Sequence, residues 1–115
     1  MDAEFRPVGI PTGYRGSPVD TLKPEPITDY SITLHAAMEV QRRGLDEAIV
    51  RWVLSAPEQR QEVRQGRVVL QSRLALGSPP TEYLVRVFVD VDSRPADVVT
   101  AYVTSKIAKY WKEQE

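Results

Sequence analysis

Seven side chains of this chain have types that could work together on a phosphate: His35, Arg73, Arg86, Thr100, Tyr102, Thr104 and Lys106. His35 is the only histidine. It stands near the start of the helix read from "TLHAAMEVQRRG". The positive end of a helix disfavours imidazolium, which suits a neutral ring to accept a proton. The acid role then falls to Tyr102 or Lys106. Arginine offers a planar fork of donors that matches phosphate oxygens, so Arg73 and Arg86 with a threonine hydroxyl and a phenol make an anion site. Each residue also has a plainer reading. His35 can fill a helix–sheet junction, Thr104 can cap a helix, and arginines and threonines are ordinary on a sheet face turned to water.

Elements must position these groups. "RPVGIPTGYRGSPVDTLKPEPITDY" is rich in Pro and Gly, which remove donors and disfavour regular structure, so residues 1–30 read as an extended or disordered tail. Phe5, Val8, Ile10, Tyr14 and Leu22 are its candidate anchors on its own domain or on a partner. The folded domain then covers residues 31–115. Thr33 caps a first helix that Gly44 stops, with Leu34, Ala37, Met38 and Gln41 expected on one apolar face. Asp46 caps a second helix with Ile49, Val50, Val53 and Leu54 as its stripe, ended by Pro57. "PEQRQEVRQG" is polar and reads as a loop.

Three strands follow. "RVVLQSRLAL" alternates with Val68, Leu70, Leu74 and Leu76 inward, and "EYLVRVFVDV" with Tyr83, Val85, Val87, Val89 and Val91. "DVVTAYV" puts Val99, Ala101 and Val103 inward. Thr104 then caps a last helix, "SKIAKYWKEQE", striped by Ile107, Tyr110 and Trp111. The expected fold is α+β: an extended Pro-rich tail, two N-terminal helices, a three-stranded antiparallel meander and a C-terminal helix. The outward strand faces then carry Gln71 and Arg73, Arg86, and Thr100 and Tyr102, with Lys106 and Lys109 adding positive charge nearby.

Composition removes several function classes. The 115 residues contain no cysteine, which excludes disulfides and a thiol nucleophile. One histidine and no cysteine leave a zinc site almost wholly to carboxylates, so no metal and no cofactor are expected. No phosphate-cradling glycine motif is present. No stretch approaches the length of a membrane span, so no membrane partner is expected. "MDAEFRPVGIP" lacks the basic start and apolar middle of a signal peptide, which points to the cytoplasm. A net charge of −1 requires that any RNA binding use a focused basic patch.

"LHAAMEVQRRGLDEAIVRWVLSAPEQ" and "YLVRVFVDV…ADVVTAYVTSKIAKYW" resemble the opening and closing segments of a group of small bacterial domains. That group is similar to RelE/ParE-type toxins and, more widely, to barnase- and colicin-type ribonucleases. The likeness runs from about Thr33 to Trp111. It implies a metal-independent endoribonuclease in which a 2′-hydroxyl attacks the adjacent phosphate, or a relative that only binds. His35 falls on the helical histidine as acid or base. Arg73 and Arg86 fall on strand arginines facing the phosphorane. Thr100, Tyr102 and Thr104 fall on the segment that orients the substrate, with Lys106 as a further cation. Implied partners are RNA and a cognate antitoxin or immunity protein. A homodimer and a non-catalytic protein-interaction module, binding through the tail or the sheet face, are the competing expectations.

Overall fold

Thr33 joins the first strand to the first helix and serves both. Its hydroxyl accepts from Ala36 N at 3.0 Å and donates to Val98 O at 3.2 Å. The computed structural model describes residues 24–112. Strand β1 is Tyr30–Ile32, helix α1 is Leu34–Arg42 and helix α2 is Glu47–Ser55. Gly44 stops α1 with φ of 71°, a conformation that costs glycine nothing. Asp46 caps α2 by accepting from Ala48 N at 2.9 Å. Leu45, Ile49, Val50, Val53 and Leu54 are all buried, as their spacing requires.

The rest of the chain forms β2 (Gln59–Arg64), β3 (Arg67–Leu76), β4 (Thr81–Asp90), β5 (Ala96–Thr104) and a short α3 (Ile107–Tyr110). The sheet order is β1-β5-β4-β3-β2. β1 runs parallel to β5, and the other pairs are antiparallel. The expectation of a three-stranded meander is therefore corrected to a five-stranded mixed sheet. Its two added strands are the edges, where one face or both are wet and hydrophobic alternation is weak. The polar stretch read as a loop is β2, turned into β3 at Gly66 with φ of 86°. β1 has three residues and is held by β5 alone.

One face of the sheet carries the main core. Val68, Leu70, Leu74, Val85, Val87, Val89, Val98 and Ala101 pack there against Ala36, Val40 and the α2 stripe. Two inward assignments change. The β4–β5 register shifts between Phe88, paired with Thr100, and Val89, paired with Val98. Val99 is thus the extra residue of a β-bulge, and Val98 takes the core position assigned to it. On α1, the face of Leu34, Ala37, Met38 and Gln41 is turned outward, with Leu34 76% and Met38 60% exposed. Ala36 and Val40 pack inward instead, and the small Ala36 lets the helix approach the sheet closely.

The opposite face is covered too. Val69, Gln71 and Leu84 are fully buried there, against the expectation of a face turned to water. The C-terminal segment crosses it: Gln59 Nε2 donates to Lys112 O at 2.6 Å and Gln71 Nε2 to Tyr110 O at 3.2 Å. The expected long last helix is only the four residues Ile107–Tyr110. Thr104 ends β5 rather than capping that helix, and its hydroxyl accepts from Lys106 N at 3.0 Å. Most of the tail, residues 1–23, lies outside the described residues. Of its described end, Ile27 is buried and its amide donates to Leu54 O at 2.9 Å.

Candidate functional site

His35, Glu39 and Arg43 are spaced by four along α1, which places them in one row on the helix surface. Glu39 anchors the row. Its side chain is only 12% exposed, and its Oε1 accepts Arg43 Nη2 at 2.8 Å. Its Oε2 takes Arg42 Nη2 and lies 4.0 Å from His35 Nε2. The imidazole itself is 76% exposed. Two guanidiniums against one carboxylate leave this surface net positive.

The same row meets β5 where β1 has ended. β1 covers β5 only from Ala96 to Val98. Beyond that point Arg43 Nη1 donates to Ala101 O at 2.8 Å and to Thr100 Oγ1 at 3.2 Å. Thr100 follows the bulged Val99, and bulges commonly re-aim a neighbouring side chain at a site. One imidazole, two guanidiniums and a hydroxyl therefore gather on the α1–β5 edge around a nearly buried carboxylate. Chemically the group can accept a proton, hold an oxyanion and orient both functions.

The other predicted residues lie elsewhere. Arg86 alternates along β4 with Val85 and Val87, whose side chains meet Ala36 and Val40 in the core. Arg86 and Tyr102 are thus on the opposite side of the sheet from His35. Arg86 Nε donates to Gln71 Oε1 at 2.8 Å, and its Nη1 to Tyr102 Oη at 2.7 Å. Arg73 is neutralised by Glu58, which it contacts at 3.0 and 3.3 Å, and its guanidinium lies 3.9 Å from the centre of the Trp111 ring. Thr104 and Lys106 bond to each other at the β5 end. Of the seven residues, Arg86 and Tyr102 come into direct contact on the far face, while His35 and Thr100 lie on the α1–β5 edge and are linked only through Glu39 and Arg43. The missed members are Glu39, Arg42 and Arg43. Their signal was in plain view, a His, a Glu and an Arg at four-residue steps in "HAAMEVQRR".

No protein-family model, no curated protein and no solved structure matches this chain. Among the described residues no three of His, Cys, Asp or Glu come together in a metal-binding group. No helix there is long and apolar enough to cross a membrane.

Proposed function

We propose that the α1–β5 edge is an RNA phosphodiester site and that the chain is a ribonuclease-type toxin acting through it. One observation carries the reading: an exposed imidazole stands beside two guanidiniums fixed on Glu39, one of them also bound to Thr100. His35 Nε2 takes the proton of a 2′-hydroxyl, whose oxygen forms a bond to the adjacent phosphorus. The bond from phosphorus to the 5′ oxygen breaks, and that oxygen takes its proton from water. Arg42 and Arg43 stabilise the added negative charge, and Glu39 positions both. The wide 4.0 Å separation of His35 from Glu39 leaves the ring free to turn toward substrate. An exposed edge also suits a large polymer better than a closed pocket would.

The test uses the full chain and a labelled single-stranded RNA. Cleavage leaving 2′,3′-cyclic phosphate and 5′-hydroxyl ends is expected, with loss in His35→Ala and Arg43→Ala. Intact RNA with the wild-type chain, or cleavage unchanged in both variants, overturns the proposal.

A second reading has its own observation. Leu34 and Met38 stand exposed beside a groove lined by Ile32, Ala37, Val40, Gln41, Leu45, Glu47 and Val50. His35 and Arg42 border the other side of the same helix stripe. The occupant that fits is a partner protein with an apolar strip that carries acidic residues on its Arg42 side only, since Glu47 lines the groove on the other; for a toxin that partner is its antitoxin. Such a partner would cover His35. A stoichiometric complex with an acidic partner, abolished by Met38→Glu and kept in Arg73→Lys, supports this reading. Self-association through the same stripe would replace the partner by a second copy.

A further inference from the structure

The far face holds a cation that the α1–β5 site does not use. Arg86 is 7% exposed, and no carboxylate among the described residues pairs with it, in contrast to Arg67 and Arg73. A buried charge without a counter-ion is costly, so its surroundings need an explanation. A guanidinium has five N–H donors. Arg86 spends one on Gln71 and one on Tyr102. Trp52 Nε1 is the one fully buried side-chain polar atom without a partner among the described residues. The unbonded Nη2 of Arg86 is therefore not completely buried. Aromatic rings frame it, with Tyr110 4.2 Å and Phe88 5.3 Å from its central carbon.

The hydrogen bonds around it run outward. Arg86 donates to the Tyr102 oxygen at 2.7 Å, which turns the Tyr102 hydroxyl proton toward Tyr110. That hydrogen bond from Tyr102 lowers the Tyr110 phenol below the usual tyrosine value, with the charges of Lys109 and Arg86 in the same sense and burial opposing. The Tyr110 hydroxyl is left as the terminal donor. Lys109 Nζ lies 5.3 Å from the Tyr110 ring centre. Arg86 on β4 and Lys109 and Tyr110 on α3 thus leave free donors clustered about the Tyr110 ring, with Tyr102 as the relay between Arg86 and Tyr110.

We propose that Arg86, Lys109 and Tyr110, with Tyr102 positioning Tyr110, form a binding site for the phosphate group of a phosphate monoester. The site takes one anionic group, because Arg73, the next cation across the sheet, is already neutralised by Glu58. The fixed side of the cradle is buried amide: Gln71 holds Arg86, and Gln59 holds Gln71 at 2.8 Å. The sheet separates this position from His35, so it is a second site, independent of the reading given above.

The experiment is an NMR titration of the full chain with inorganic phosphate at fixed ionic strength, repeated with phosphotyrosine amide and with single-stranded RNA lacking terminal phosphates. Saturable one-to-one shifts of the Arg86 Nε–H and of Tyr102 and Tyr110 are expected with the first two ligands. Lys109→Gln and Tyr110→Phe should each weaken binding by roughly 2- to 10-fold, the worth of one hydrogen bond. These variants change exposed or half-buried groups, so the test survives if Arg86→Lys fails to fold. Absence of saturation, shifts confined to the His35–Arg43 row, unchanged affinity in both variants, or equal shifts with the RNA overturns the proposal.

Discussion

His35→Ala separates chemistry from stability more cleanly than any other substitution in this molecule. The side chain is 76% exposed, and its nearest charged neighbour, Glu39, is 4.0 Å away. No hydrogen bond from the ring holds α1 in place, since the cap is supplied by Thr33. Truncation at such a position changes stability by no more than about 0.5 kcal/mol. For a domain of this size that is a melting shift of roughly 2–4 °C at most. A general base, by contrast, is worth about 10²- to 10⁴-fold in rate. RNA cleavage by His35→Ala should therefore fall by at least about a hundredfold while the thermal transition stays where it was. Calorimetry and a single-turnover cleavage assay on the same preparation decide it. Full activity in the variant refutes the assignment of His35. A large drop in melting temperature would refute the structural half, because it would mean the imidazole is packed rather than free.

Other perturbations follow from particular contacts. Gln71→Leu removes the acceptor of Arg86 Nε and the donor to Gln59 and Tyr110; it should cost about 2–3 kcal/mol in urea unfolding, since a buried charged donor loses its partner. Gly66→Ala should cost about 1–2 kcal/mol by the same measurement, because φ is positive and a Cβ would sit 2.8 Å from Asp92 Oδ2. The hydrogen bond from Arg67 lowers the Asp90 carboxyl below its usual 3.8. A depressed folded value means that its contribution is complete above the unfolded value and is lost as pH falls through the folded one. Asp90→Asn should therefore destabilise by about 1 kcal/mol at neutral pH, and that difference should shrink below about pH 4, as acid titration of both proteins would show.

Local signals fixed the helices and the central strands. A threonine cap, an aspartate cap, a left-handed glycine and period-two valines each act within a few residues, so α1, α2, β3 and β4 were legible from their own stretches. Edge strands were not, because β1 and β2 owe their conformation to partners far along the chain. The same distinction governs the site. Residue type alone made His35 a candidate, and spacing along the helix could have added Glu39 and Arg43 to its row, since residues four apart share a face whatever surrounds them. Which strand residues share that surface with His35 is not a local property. Alternation along β4 and the side on which α1 packs sent Arg86 and Tyr102 behind the sheet, while the end of β1 and the bulge at Val99 brought Thr100 to Arg43. The stripe of Leu34 and Met38 was equally visible, yet only packing of Ala36 and Val40 against β5 decided that it faces out. Composition and periodicity state which residues share a face; the burial available to each face, which only the assembled layers possess, states where that face points.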